Sequence, residues 1–409
     1  GQHEESFAGS ASLSITDANV ILEGPLPGSG GSWLLTGRRT YYDLIAGAFL
    51  DDSLPAFSDA QLKAGWDLGE SFRLGFLGLV GREKSDFGFD DEDEGERADF
   101  FSDAGNDLVS INLEGELGDG LRSRTILSWY RNSELADFDG VIRSDVRRSN
   151  SPNGSPRFSD VVFDREIRIR DLSLRQELSL VAGSSQLLEA GFELHELETS
   201  VETTISGDRN PNVANGSSVR GGAGLPDALD STLPSRRFGA WLLDRIQLSD
   251  ALAVVAGVRY DWDETTGVGR LSPRLAATYD FDSKTRLTGA FGVYSQSPGY
   301  EKLLQADYLL DYSDARAREL VPESSTHVVI GLERDLGRGL RIRAEGDWKE
   351  FDDVLVGQLE TDAELATRLS SYDFPAELAG EIPTERRITS TPGNDAFGTA
   401  YGADFYLSL

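Results

Sequence analysis

Between Arg270 and Tyr300 the chain reads RLSPRLAATYDFDSKTRLTGAFGVYSQSPGY, and polarity along it alternates with a period of two. Leu271, Pro273, Leu275, Ala277, Tyr279 and Phe281 share one parity, while Ser272, Arg274, Ala276, Thr278 and Asp280 share the other. That is the pattern of a strand with one apolar and one wet face. Asp282, Ser283 and Lys284 are turn residues, after which Leu287, Gly289, Phe291 and Val293 resume the alternation until Ser297, Pro298 and Gly299. The spacing predicts a hairpin.

The unit recurs along the whole chain. Phe7 to Ile15 alternate on odd positions and Val20 to Leu26 on even ones, a parity flip that predicts a turn over 16–19. Ala60 to Leu68 and Phe72 to Val80 flank a Gly-Glu-Ser turn. Val109 to Leu117 precede Gly-Asp-Gly, and Leu340 to Trp348 alternate against Arg341, Arg343, Glu345 and Asp347. Extending this reading from end to end predicts about sixteen antiparallel strands. Short turns at 68–71, 118–120, 182–185, 249–251, 282–284 and 337–339 alternate with longer polar segments at 86–105, 133–164, 206–234, 298–322 and 357–397. Tight turns at one end and long loops at the other are what a transmembrane barrel shows, and a soluble sandwich has no reason to segregate them. Trp66, Trp129 with Tyr130, Tyr260 with Trp262, and Tyr279 with Phe281 lie near strand ends, where interfacial girdles are expected.

Composition narrows the alternatives. No apolar run reaches the ~18–20 residues of a membrane-spanning helix, so a membrane protein of this sequence has to be a barrel. A net charge of -31 excludes nucleic acid as a partner, since nothing offsets phosphate repulsion. With no Cys there is no disulfide, thiolate metal site or Cys nucleophile. No Met is present and residue 1 is Gly, so the chain reads as a fragment or processed form without a signal peptide.

EGPLPGSGGSWLLTGRRTYYDLI (23–45), LSPRLAATYDFDSKTRLTGAFGVYSQSPGYEKL (271–303), PESSTHVVIGLERDLGRGLRIRAEGDWKEFDDVLV (322–356) and GTAYGADFYLSL (398–409) resemble barrel segments of TonB-dependent outer-membrane receptors. The resemblance covers essentially all of residues 1–409, which read as one partial barrel domain. It implies an all-β, antiparallel transmembrane barrel, incomplete, with about 16 of some 22 strands. The plug domain, the energy-coupling box and the last strands of such receptors have no counterpart here. Unpaired first and last strands would make the isolated polypeptide prone to aggregate. The resemblance further implies uptake of a scarce nutrient of the siderophore, cobalamin or glycan class. The implied partners are outer-membrane lipid, the plug of the parent chain, a TonB-type energy transducer and a small-molecule or metal-chelate ligand. The location implied is the outer membrane of a Gram-negative-type bacterium; a passive porin-like channel or surface-binding barrel is the alternative.

Candidate chemistry is sparse. The acidic run Asp90 to Glu96 tested as an EF-hand loop has Gly95 at the sixth position but Phe101 at the twelfth, where a bidentate Glu is required, and fails. It reads as a solvated loop. His3, His195 and His327 show no metal spacing, and no nucleophile elbow, phosphate loop or paired-carboxylate signature is present, so no enzyme activity, cofactor or metal site is expected. Arg259, Arg274, Arg341 and Arg343 fall on the wet parity, which points them into the lumen if the apolar face meets lipid. They serve either as wall salt bridges or as contacts to a plug or anionic ligand. Tyr294, at the upper end of its strand, and Tyr300, just beyond it, are candidates for the ligand vestibule.

Overall fold

The computed structural model describes residues 6–28, 30–42, 53–91, 96–144, 157–206, 228–298, 319–371, 386 and 388–408. These form one sheet of sixteen strands in sequence order, β1 to β16, each antiparallel to the next. The strands are β1 (Ala8–Leu13), β2 (Asp17–Pro25), β3 (Gly31–Thr40), β4 (Ser53–Leu68), β5 (Phe72–Asp91), β6 (Glu96–Gly118), β7 (Leu121–Ser144) and β8 (Arg157–Ala182). They continue as β9 (Gln186–Ser206), β10 (Ala228–Ser249), β11 (Leu252–Asp263), β12 (Gly269–Asp282), β13 (Thr285–Gln296), β14 (Glu323–Gly337), β15 (Leu340–Leu359) and β16 (Ile388–Ser408). One helix, α1 (Asp362–Ser371), lies between β15 and β16. Thr361 caps it: its hydroxyl accepts from the Glu364 N–H at 3.3 Å while the Glu364 carboxylate accepts from the Thr361 N–H at 2.8 Å. No pairing between β1 and β16 is present among the described residues.

All six predicted tight turns fall between strands as expected, and Gly69, Gly120, Gly183 and Gly337 sit in them with φ between 67° and 81°. Only glycine adopts that region without strain. The first turn is earlier than the parity flip predicts, because β2 already starts at Asp17 and Ser14 closes the corner. Its hydroxyl accepts the Asp17 N–H at 3.0 Å and donates to the Asp17 carboxylate at 2.9 Å. The long polar segments also differ from expectation. Segment 86–105 is mostly paired strand, running out to Asp91 opposite Glu96, and 133–164 is strand up to Ser144 and again from Arg157. A bilayer-crossing strand takes about 9–11 residues. β8, with 26, therefore projects well beyond it. There both faces meet water and the alternation that marks a strand fades.

The sheet has no conventional core. Among the described residues the buried apolar side chains are Ala98, Ala136, Ile167, Val201, Leu320 and Leu355. A much larger apolar set is exposed on one face, including Leu271 at 64%, Leu275 at 51%, Ile330 at 60% and Leu332 at 47%. Register aligns these into continuous rows: Ala256, Leu275, Phe291, Val328 and Trp348 stand side by side across β11 to β15. A soluble protein rarely exposes so broad an apolar surface; lipid accounts for it. Tyr279 and Phe281 pack edge to face at 4.9 Å at the turn end of this band. Tyr130, in contrast to Trp129, belongs to the opposite face, where its hydroxyl donates to Asn106 Oδ1 at 2.8 Å.

Candidate functional site on the inner face

The face opposite the apolar band carries the polar residues. Across β4 to β11 it holds an ordered series of alternating charge that starts near the tight turns at Asp67 and Arg73 and rises to Asp261, the tenth residue of β11. Arg73 lies 3.7 Å from Asp67 and directly opposite Glu114. Arg124 reaches Glu114 at 2.8 Å and Glu177 at 3.8 Å, and Arg175 reaches Glu177 at 2.6 Å and Glu193 at 3.7 Å. Arg259 then pairs with Glu193 and, at 2.6 Å, with Asp261. Glu177 is shared by Arg124 and Arg175, and Glu193 by Arg175 and Arg259, so the series ties β7 through β11 together.

Trp241 stands within this belt, its ring 4.9 Å from the Arg175 guanidinium and 5.4 Å from that of Arg259. Gly191 makes room for it, since a Cβ there would come within 2.4 Å of the indole and 2.5 Å of the Gln176 carbonyl. Gly239 does the same for the Arg259 cluster, where a Cβ would lie 2.5 Å from the guanidinium. A cavity of about 860 Å³ opens over the turn ends of β4 to β10, lined among others by Asp67, Arg73, Glu114, Arg175, Glu177 and Trp241.

A second group lies toward the loop end of β12 to β15. The Arg274 guanidinium lies over the Tyr294 ring, which is 4.7 Å from the His327 ring, and His327 in turn is 6.3 Å from Phe351. Lys349 is the register partner of His327. The Tyr294 ring lies back over Gly292, where a Cβ would meet it at 2.9 Å. No ion pair to Arg274 is found among the described residues, and His327 Nε2 is buried with no hydrogen-bond partner among them. Just above, Asp353 has a φ of 56° and brings its carboxylate to 2.6 Å from Arg270. Asp tolerates that left-handed conformation better than most residues.

The six residues singled out from the sequence thus part company. Arg274 and Tyr294 are brought together. Arg259 is a wall salt bridge in the charged belt. Arg341, 3.6 Å from Glu333, and Arg343, paired with Glu345 and 5.8 Å from the Tyr406 ring, lie on the same face nearer the turns. Tyr300 lies outside the described residues. The sequence reading missed Trp241 and Phe351 and weighed His327 only as a metal ligand; the register across β13 to β15 is what brings His327 and Phe351 to Tyr294. Among the described residues no group of three or more His, Asp or Glu is arranged to hold a metal ion.

The family described as TonB dependent receptor-like, beta-barrel matches residues 76–373, well over half of the sequence. The chain belongs to that family. Its members are outer-membrane receptors and transporters of Gram-negative bacteria. No curated protein matches it in sequence. Among solved structures it is similar to a variant of the ferric enterobactin receptor PfeA from Pseudomonas aeruginosa, at 16% identity and a TM-score of 0.61, covering 100% of this chain and 60% of that one. It is also similar to the siderophore receptor PirA from Acinetobacter baumannii, at 13% identity and a TM-score of 0.59, covering 98% and 60%. The RagAB peptide transporter matches at 12% identity and a TM-score of 0.55, covering 96% and 48%. At these identities the likeness establishes the barrel fold, and this TonB-dependent receptor barrel spans less than two thirds of the length of each of those chains.

Proposed function

We propose that the gene product containing this barrel imports a scarce nutrient across the outer membrane of a Gram-negative-type bacterium. The nutrient is too large for passive pores and belongs to the siderophore, cobalamin or glycan class. A TonB-type inner-membrane partner supplies the energy by acting on a plug domain of the parent chain. The observation that carries this reading is the family match over residues 76–373, on a sheet whose inner face is lined by guanidinium groups. Arg274, with Tyr294 and His327, offers a cation and two ring faces to an anionic chelate or to plug carboxylates passing the outer end of the lumen. The belt from Arg73 to Asp261 runs up the wall from the inner end and keeps the strands in register as the plug moves. Segments 133–164 and 357–397, on the loop side, capture the ligand.

The test uses a strain expressing the full gene, with and without the energy-transducing protein. Loss of nutrient uptake in the deletion strain, with surface binding intact, is the expected result. Unchanged uptake would contradict active import and leave a passive channel; binding without uptake in both strains would leave a surface receptor.

A further inference from the structure

β12 and β13 pair as far as Arg274 with Gly292 and then part, although β12 continues to Gly269 and β13 to Gln296. On their other sides both strands stay paired to the end, β12 with β11 up to Gly269 opposite Trp262, and β13 with β14 up to Gln296 opposite Glu323. The sheet is therefore slit along one seam. Its base is marked by Pro273, which has no N–H to give to a ladder and which sheets accept at an unpaired edge. Arg274 is the ninth residue from the turn end of β12, so the slit opens where a strand with about 9–11 membrane-crossing residues reaches the surface of the outer leaflet.

Specific contacts hold the slit in this form. Continuing the register would set Ser272 opposite Tyr294, yet the Ser272 hydroxyl lies 3.3 Å from that of Ser295, so the two strands have moved out of step. Arg270, higher on β12, reaches past β13: its Nη2 donates to the Pro322 carbonyl at 3.3 Å and to the Asp353 carboxylate on β15 at 2.6 Å. These bonds tie the top of β12 to β15 and keep it from closing onto β13. On the outward side the lips are apolar, with Leu271, 64% exposed, and Pro273 on one and Val293 on the other. On the inward side Arg274 stands at the foot of the slit, its guanidinium 4.6 Å from the Tyr294 ring and without an ion pair among the described residues.

We propose that this slit seats an anionic amphiphile, with its head on Arg274 and its acyl tail passing between Pro273 and Val293 into the outer leaflet. The inference rests on the import reading and adds one chemical feature to the ligand. A free guanidinium gives an anionic head charge-assisted hydrogen bonds on the inner face. The tail, costly to expose in an aqueous lumen, stays in lipid on the other side of the wall. Its passage displaces the Ser272 to Ser295 contact and leaves the ladders below Arg274 and on either side whole.

The test is photo-crosslinking of the full gene product in phosphatidylcholine nanodiscs with N-lauroyl-photoleucine, whose carboxylate and diazirine both lie in the head. N-acetyl-photoleucine is the tailless control, and peptide mass spectrometry reads the labelled residues. The lauroyl probe is expected to label the inward-facing Tyr294 and His327 about tenfold more than the acetyl probe does, and R274Q to remove most of that difference. Since this chain has no Cys, S272C/S295C places one disulfide across the slit. Oxidation is expected to abolish inward labelling by the lauroyl probe, and reduction to restore it, which also verifies the fold. If the double variant fails to fold or to oxidise, the two probes on the wild-type protein decide. Equal inward labelling by both probes, labelling confined to lipid-facing residues, or inward labelling that survives the disulfide would overturn the proposal. None of these results involves the energy transducer, so failure of the import reading in the deletion strain is a separate outcome.

Discussion

The guanidinium carbon of Arg274 on β12 lies 4.6 Å from the centroid of the Tyr294 ring on β13, at the loop end of the inner face. Tyr294 lies two residues beyond Gly292, the register partner of Arg274, and the glycine lets the Tyr294 ring fold back onto the cation. A double-mutant cycle with Arg274→Met and Tyr294→Leu, read by urea unfolding in liposomes, is expected to show a coupling of about 0.5–1 kcal/mol. Additive single effects would mean the two side chains only happen to be near one another.

Leu275, the next residue along β12, is 51% exposed on the apolar face. Leu275→Arg is expected to cost about 2–4 kcal/mol in a bilayer. Ala276→Arg, one residue on and facing inward, is expected to be tolerated. Comparable costs at both positions would contradict the assignment of faces.

Asp263, at the end of β11, has a side chain only 1% exposed, held by Arg237 Nε at 2.6 Å and by the Thr265 N–H at 2.7 Å. Arg237→Ala strands that carboxylate and is expected to destabilise the barrel by about 3–5 kcal/mol. Adding Asp263→Asn should recover most of the loss, because the amide removes the buried charge. Failure of the second substitution to rescue would place the effect elsewhere.

Asp137 is the seventeenth residue of β7 and lies beyond the membrane, directly opposite Asp164. Burial, reinforced by repulsion and hydrogen bonding from Asp164, pushes its carboxyl above the ordinary range. A raised acid favours the protonated form in the folded state, so its stabilising contribution is full below the unfolded value of about 3.9 and is lost as pH rises through the folded one. Asp137→Asn is therefore expected to raise the urea midpoint relative to wild type at neutral pH. That advantage should vanish at a pH below the unfolded value, and a difference independent of pH would refute it.

Strands within the membrane were legible because water and lipid impose opposite demands on alternate residues: Leu271 to Phe281 announce β12 without help. Where both faces are wet the signal disappears, which is why 86–105 reads as a loop although Phe87 and Phe100 pair across it with ring centroids 5.0 Å apart. Trp241 was hidden for the opposite reason. Ala240, Trp241, Leu242 and Leu243 are all apolar, so parity is silent there and only pairing with β9 and β11 places the indole inside. The ion pair of Arg259 with Glu193 joins residues far apart in sequence through an intervening strand. No local pattern could foretell that partner, whereas the direction of Arg259 followed from alternation alone.

The central claim is that one face of this sheet meets lipid and the other lines the lumen. Spin labels placed singly at 275, 342, 276 and 343 in the full gene product, reconstituted in a bilayer, test it directly. Labels at 275 and 342 should relax with molecular oxygen, which concentrates in lipid, and those at 276 and 343 with a water-soluble nickel chelate. Nickel accessibility at 275 and 342 equal to that at 276 and 343 would contradict the account.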